Sequence, residues 1–555
     1  MIDINNITVR YPGSADENPA ISSFDLHLNS GEYIALLGAN GSGKSTLIKA
    51  LCGLIEIEKG EIIVDGKNVR AGRFGDDFFG IVAAVFQEPG GQFLMSTVER
   101  EIVAVLQNLG LTLEDQERRF KNVVKRFSLE NILYRKPENL SGGQMQIVNL
   151  ACAAAISPRV LLLDEPMTFL DTSYRESMLD MIDEFYRDGL TIMHVTQYPD
   201  EALRAGKAAI MDCGALIAVG EPESILGDEE CLRRCRLVMP KRLLCKKKLG
   251  FDYADAGAME SHCLKIGYSN AALRTDSPEK IENGDLILKA INIGFAYPDG
   301  SFTLAIDRLN LCRGGVTGLI GPAGSGKSTL AFLLAGLLKP LSGEIIIDGL
   351  PLPKYENKKL REKVGISWQM PEAILVGPTV ADDLWLIIDN LRLVDVDLKE
   401  ILRRTNLAGY EDRMVDSLSG GEKRKVSLAG ALVADPELII LDEPSAFLDP
   451  YSQIELIEII KDSARAGKTI LLIGHDLPFL AEVSDRIIGI SGGRLMFDLP
   501  SLEFFNEPAY LEPLGLSAEP LIELRHRLVQ KGIEMKNPSI DPAYLAGCLE
   551  PRAFK

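Results

Sequence analysis

GANGSGKST (38–46) and its near-copy in the second half of the chain, GPAGSGKST (321–329), decide how this chain is read. Each follows a short apolar run, EYIALLG (32–38) or GVTGLIG (315–321). Each precedes residues with helical apolar spacing, STLIKALCGL (45–54) or STLAFLLAGL (328–337). A strand, a glycine-rich loop and a helix in that order make a phosphate cradle. The glycines let backbone amides curl around an anion, and the helix start turns its unpaired N–H groups and dipole toward the charge. Candidate ATP-binding residues are therefore Gly38, Ala39, Asn40, Gly41, Ser42, Gly43, Lys44, Ser45 and Thr46 in the first copy. In the second they are Gly321, Pro322, Ala323, Gly324, Ser325, Gly326, Lys327, Ser328 and Thr329. Lys44 and Lys327 are placed to reach the β- and γ-phosphates, and Ser45 and Ser328 to hold Mg2+ through their hydroxyls. A chance glycine-rich turn explains one such loop but not two.

Working outward, the rest of each copy repeats as well. LSGGQ begins at Leu140 and LSGGE at Leu418; LLLDEP and IILDEP carry Asp164 and Asp442; TIMHVTQ and TILLIGH carry Gln197 and His475. All three pairs are separated by the same interval. RVLLLDE and ELIILDE read as parallel strands buried on both faces. Asp164 and Asp442 end those strands as candidate Mg2+ residues, and the adjacent Glu165 and Glu443 are candidates to polarise the attacking water. An ordinary acidic strand end would not recur at an identical spacing from the SGG serine, Ser141 or Ser419, in both copies. Gln87 (VFQEP) and Gln369 (SWQMP) follow Lys44 and Lys327 at almost equal spacing, as candidates for sensing Mg2+ or water. Tyr11 and Tyr297, in RYPG and AYPDG, are candidates to stack on adenine, with a packed tyrosine as the plainer alternative. Residues 97–135 and 379–415 read as helical. The expected fold class is α/β, with two P-loop domains, each with a helical subdomain. The expected boundaries are 1–228 and 286–500, with a linker at 229–285 and an extension at 501–555.

Composition narrows the function. The chain has 555 residues, 46% apolar and 25% charged, with a formal net charge of −19. That balance argues against wrapping nucleic acid, which needs clustered cations. No apolar run is long enough to span a bilayer, and the N-terminus does not read as a secretory signal, so the chain is expected in the cytoplasm. Nine cysteines are scattered and expected to be reduced. Cys231, Cys235, Cys245 and Cys263, near His262, are a conceivable metal set, but they lack the close pairs of zinc ribbons.

The ordered P-loop, Q-loop, LSGG signature, acidic Walker B strand end and switch position resemble the ATP-binding-cassette ATPases across both domains. The resemblance implies ATP and Mg2+ as ligands and two composite sites. Site one would use Lys44, Ser45, Gln87, Asp164 and Glu165 with the signature residues Ser419, Gly420, Gly421 and Glu422. Site two would use Lys327, Ser328, Gln369, Asp442, Glu443 and His475 with Ser141, Gly142, Gly143 and Gln144. The family's switch histidine is His475, but the first copy has Gln197. His194, slightly earlier on an apolar strand, reads as a core residue. Gln can hydrogen-bond a phosphate but cannot carry the imidazole's charge. Unequal sites are therefore expected, with site two the faster.

Within that family, FQEPGGQFLMSTVEREIVAVLQNLG (86–110) and the tail EPAYLEPLGLSAEPLIELRHRLVQKGI (507–533) are similar to importers of the energy-coupling factor type. That resemblance implies an integral membrane scaffold subunit and a small substrate-capturing membrane protein as partners, with this chain peripheral on the cytoplasmic face. The transported vitamin or metal ion would not touch this chain. The alternatives are a soluble tandem cassette acting on ribosomes or nucleic acid, and a fused sugar-importer ATPase.

Overall fold

The computed structural model describes residues 1–11, 19–69, 78, 80–168, 170, 172–249, 285–298, 302–368, 374–446, 448–516, 519–533, 535–542 and 544–545. The chain divides into two compact units, Met1–Leu243 and Leu244–Lys555.

In the first unit the strands are β1 (Ile2–Val9), β2 (Ile21–Leu28), β3 (Tyr33–Leu37), β4 (Lys59–Val64), β5 (Lys67–Asn68), β6 (Val82–Val85), β7 (Val160–Asp164), β8 (Thr191–Val195), β9 (Lys207–Asp212) and β10 (Ala215–Gly220). They form an antiparallel sheet, β2-β1-β4-β5, and a larger sheet, β10-β9-β3-β8-β7-β6. In the larger sheet only β10 runs antiparallel to its neighbour. Every residue of β3, β7 and β8 is buried, as their unbroken apolar runs require.

The second unit repeats this plan. Its strands are β11 (Leu286–Ala296), β12 (Thr303–Cys312), β13 (Gly315–Ile320), β14 (Ser342–Ile347), β15 (Leu350–Pro351), β16 (Val364–Ser367), β17 (Leu438–Asp442), β18 (Thr469–Ile473), β19 (Arg486–Ser491) and β20 (Arg494–Pro500). The sheets run β12-β11-β14-β15 and β16-β17-β18-β13-β19-β20, the same two orders strand for strand. The small antiparallel sheets were not foreseen, because their half-exposed strands mix polar and apolar residues. They matter to the site: β1 ends just before Tyr11 and β11 just before Tyr297.

The stretches expected to be helical hold shorter helices. In the first unit these are Val98–Asn108 and Leu113–Arg126, packed on the helix Gly142–Ile156 that begins at the signature. In the second they are Val380–Leu391 and Leu398–Arg404, with Gly420–Leu432. The second group has its own core around Val380, Leu384, Leu402 and Val426.

Part of the expected linker is structured. Helices Glu229–Arg234 and Lys241–Leu249 form there, with Leu232, Cys235 and Leu237 in the first unit's core. Burial pushes the Cys235 thiol up to about 12, with Cys231 adding to the shift, which keeps it protonated. Cys245 is buried in a different core. Among the described residues no group of three or more His, Cys, Asp or Glu side chains is arranged to hold a metal. Cys263 and His262 lie outside the described residues.

The C-terminal segment packs on the second unit, burying Phe504, Leu511, Leu521, Leu524 and Leu528. Arg525, fully buried, ties it together. Its guanidinium donates to the Asn506 side chain at 2.9 Å and to the Asn537 and Ser539 carbonyls at 2.7 Å. A buried cation of this kind is tolerated because each donor edge finds an oxygen.

Candidate active site

Register brings the candidate residues together at the carboxyl ends of the strands. In the first unit Leu36 of β3 lies beside Val195 of β8, and Val195 lies beside Asp164 of β7. In the second, Leu319 pairs with Ile473 and Ile473 with Asp442. The glycine loop, the acidic pair and the switch residue therefore meet at one edge, where α/β sheets bind ligands.

Each loop closes on its own lysine. Lys44 donates from Nζ to the Gly38 and Ala39 carbonyls at 2.8 and 2.9 Å, and Lys327 to those of Gly321 and Pro322 at 2.8 and 3.0 Å. Gly43 and Gly326 cap the following helices at φ near 100°, a left-handed conformation open to glycine. A Cβ at Gly38 would meet the Met211 carbonyl oxygen at 2.3 Å, and one at Gly321 the Ile490 oxygen at 2.1 Å. Burial lowers the Lys327 pKa, and the neighbouring Glu443 and Asp442 oppose the shift.

The acidic groups sit directly beneath. Ser45 Oγ donates to Asp164 Oδ1 at 3.0 Å. Burial and the neighbouring Glu165 push Asp164 up to about 6, against the Ser45 hydroxyl. Burial raises Asp442 likewise, and the Ser328 hydroxyl opposes it. Ser42 Oγ, Ser325 Oγ and Asp442 Oδ1 are buried with no protein partner. Hydroxyl and carboxylate oxygens are the ligands that Mg2+ prefers, so this donor set fits it.

Glu165 and Glu443 share an uncommon backbone, with φ of 47° and 50°. A non-glycine residue held there stores roughly 1–3 kcal/mol. The conformation persists because each amide is pinned to the adjacent strand, Glu165 N to Val195 O at 3.0 Å and Glu443 N to Ile473 O at 2.8 Å. Their side chains then diverge. Glu165 lies 3.7 Å from Lys44 and accepts from Thr168 Oγ1 at 3.3 Å, whereas Glu443 bonds His475 Nδ1 at 3.0 Å. That bond raises the His475 pKa. The His475 side chain is 60% exposed, while Gln197 is 2% exposed. His194 is wholly buried against the Tyr33 hydroxyl, and burial drops its pKa to about 3, so it is neutral at pH 7.

The tyrosines reach the loops. Tyr11 OH lies 3.2 Å from Thr46 Oγ1, and Tyr297 OH lies 3.3 Å from Thr329 Oγ1. Gln87 follows β6 and is partly buried, while Gln369 lies outside the described residues.

The signature serines cap their helices. Ser141 and Gln144 form a reciprocal capping box, and so do Ser419 and Glu422. Gln144 and Glu422 thus hold the helix start that presents Gly142, Gly143, Gly420 and Gly421. Burial raises Glu422, but the Ser419 amide and the Tyr410 hydroxyl outweigh it and hold the carboxyl below its ordinary value.

Sequence reasoning missed the residues behind these. Gln146 and Asn149, on the signature helix, donate to the Phe86 and Pro89 carbonyls on either side of Gln87, at 2.9 and 3.0 Å. Their counterparts Arg424 and Ser427 bond Trp368 O and Ser367 Oγ. Buried Glu101 accepts from the Leu94 and Met95 amides, and Asp383 from those of Val376 and Gly377. The matched TVERE and TVADD segments were the available signal.

A family model described as ABC transporter matches residues 21–168 and 305–446. The chain belongs to the ABC transporter family. It binds and hydrolyses ATP through tandem cassette domains. It is 29% identical over 552 residues to a Photobacterium profundum protein named "Putative ABC transporter ATP-binding protein", covering 96% of this chain and 97% of that one. It is 29% identical over 523 residues to the Bacillus subtilis "Putative HMP/thiamine import ATP-binding protein YkoD", covering 91% and 93%. The archaeal ribosome recycling factor aABCE1, solved with a ribosomal stalk protein, shares the fold at 21% identity and a TM-score of 0.55, covering 92% of each chain. No helix among the described residues is long and apolar enough to cross a membrane.

Proposed function

We propose that this chain is the ATPase subunit that energises an importer of the energy-coupling type for a vitamin or a transition-metal ion. In this reading Lys44 and Lys327 hold the phosphates, and Glu165 and Glu443 orient the attacking water. Gln197 and His475 face the γ-phosphate, Tyr11 and Tyr297 stack on adenine, and the signature helices act in the paired halves. Mg2+ would be held by Ser45 and Asp164 in one half and Ser328 and Asp442 in the other, with Gln87 and Gln369 near it. It would offset charge on the phosphates.

The observation that carries the ATPase roles is the repeated contact set: lysine on the loop carbonyls, serine on the aspartate, glutamate pinned in the left-handed region. The importer role is supported by the named import relative, matched over nine-tenths of this chain. It is also supported by an apolar groove of about 360 Å³ in the second unit, lined by Leu337, Trp368, Ile374, Leu375 and Ile387. Such a groove suits the end of an amphipathic helix from a membrane scaffold partner. The chain would then lie peripherally at the cytoplasmic face of the membrane.

Fractionation tests this reading. The tagged chain should sediment with membranes and co-purify with integral membrane proteins, one of them a small substrate-capturing protein. Salt-sensitive co-sedimentation with ribosomes, and no membrane association, would replace the importer reading with the ribosomal one.

A further inference from the structure

Behind the switch residues, the two units are built from different chemistry. In the first unit, Thr196 Oγ1 donates to Glu201 Oε2 at 2.5 Å and accepts from the Tyr198 amide at 3.0 Å. The Thr196 amide donates to Leu36 O at 3.1 Å, and Val195 O receives the Glu165 amide. His194, with Tyr33 on one nitrogen, brings its other nitrogen to 3.6 Å from Glu201, and Arg175 lies 3.7 Å from the same carboxyl. Tyr33, His194, Thr196 and Glu201 are each 5% exposed or less. Gln197 stands in the middle of this segment, with Oε1 buried and no partner on it.

The second unit has Val316, Leu472, Gly474 and Phe479 at the matching positions, so the polar network is replaced by apolar packing. Gly474 has no side chain to anchor, and Asp476 instead caps the next helix at the Phe479 amide.

Fixing a chain segment from both sides costs conformational entropy, which the Thr196 hydroxyl offsets by donating to Glu201 Oε2 while accepting the Tyr198 amide. The other carboxylate oxygen, Oε1, is buried without a hydrogen-bond partner among the described residues, with Arg175 3.7 Å away. A buried glutamate accepting from a threonine that also takes its neighbour's amide is therefore a clamp on one short segment, the one bearing Gln197. We propose that Glu201 and Thr196 are positioning residues for the first half's ATP site, clamping the segment that carries Gln197 against Glu165. The second half keeps the same backbone bonds, Gly474 N to Leu319 O at 3.2 Å and Glu443 N to Ile473 O at 2.8 Å, but Gly474 has no side chain to add a second tie. This inference rests on the reading of Gln197 and Glu165 as groups that act at the first ATP.

The test uses the full-length chain with the second site blocked by Glu443→Gln, and measures single-turnover hydrolysis with enzyme in excess over ATP. Thr196→Val keeps the side-chain shape and removes the hydroxyl. It should slow the reaction about tenfold, since small misplacements of a reacting group have effects of this scale. ATP bound per chain should not change. Thr196→Ser should restore the rate to within about twofold, and Thr196→Ala replaces the valine variant if that one does not fold. In a Gln197→Ala background the same Thr196 change should add less than about twofold, because two groups acting through one another are not additive. An equal loss in both backgrounds, or no loss in either, overturns the proposal. Failure of the underlying reading has its own signature: Glu165→Gln would then leave single-turnover hydrolysis in the Glu443→Gln background unchanged, whatever Thr196 does.

Discussion

At the end of β8 the first unit presents Thr196, Gln197 and Tyr198; at the end of β18 the second presents Gly474, His475 and Asp476. In front of these segments the units are close copies. Lysine bonds the loop carbonyls at matching distances, a serine meets the aspartate, and the glutamate is held at φ near 50°. Glu443 bonds an imidazole, His475 Nδ1, whereas Glu165 accepts from the Thr168 hydroxyl and lies near Lys44. The repeat has kept the loop, serine–aspartate and glutamate geometry and varied the group that meets the glutamate.

The largest test of that difference is removal of the glutamates one at a time. Glu443→Gln should lower steady-state ATPase by about 10²-fold or more, the usual scale for losing acid–base help, and Glu165→Gln by clearly less. Equal losses would erase the distinction. Next, His475→Gln makes the second switch resemble the first. It should lower kcat about tenfold with little change in KM, because an interaction made mainly in the transition state is lost. A loss confined to KM would mean that His475 only helps to hold ATP.

The front of each site was legible because phosphate chemistry restricts residue types at fixed spacing: GxxGSGKST, the acidic strand end and the LSGG helix start admit few substitutes. The strands β3, β7 and β8 were legible for a similar reason, since burial on both faces demands unbroken apolar runs. The clamp behind Gln197 was not. Thr196 and Glu201 are close in sequence and ordinary in type, and Tyr33 reaches His194 from far away along the chain. Only folding shows that they are buried together. The antiparallel sheets were missed because their half-exposed strands mix polar and apolar residues. The structure of the expected linker was missed because RRCR and KKK read as a solvated run, while Cys235 inside that run and Leu237 just after it are core.

The buried network also gives the first unit a titration the second lacks. Burial pushes Glu201 up to about 7 from its ordinary 4.5, although Arg175 opposes it. Between these values the folded unit keeps a proton that the unfolded chain has released, so the contribution of Glu201 to stability falls as pH rises through that window. Glu201→Gln, neutral throughout and still able to accept from Thr196, should flatten that slope. Thermal melts of the full-length chain and the variant at about pH 5 and pH 7 read it directly. An unchanged slope would place the Glu201 proton elsewhere.

The smallest expected difference lies at the signature caps. Gln144 caps its helix as a neutral amide. Glu422 does so as a carboxylate that also takes the Tyr410 hydroxyl at 2.7 Å and faces the positive end of the helix dipole. Gln144→Ala should cost about 0.5–1 kcal/mol and Glu422→Ala about 1–2 kcal/mol, read as shifts in urea midpoint. Glu422→Gln separates the two contributions, because it keeps the acceptor and removes the charge. If it costs as much as the alanine, the dipole and charge carry the cap. If it costs nothing, hydrogen bonding does, and the two caps are equivalent despite their different residues. The acid side gives a second reading. The Glu422 pKa is held down in the fold, so its stabilisation is complete above the ordinary carboxylate range and is lost as pH falls through the lowered value. Gln144 has no proton to lose, so acidification should weaken only the second cap.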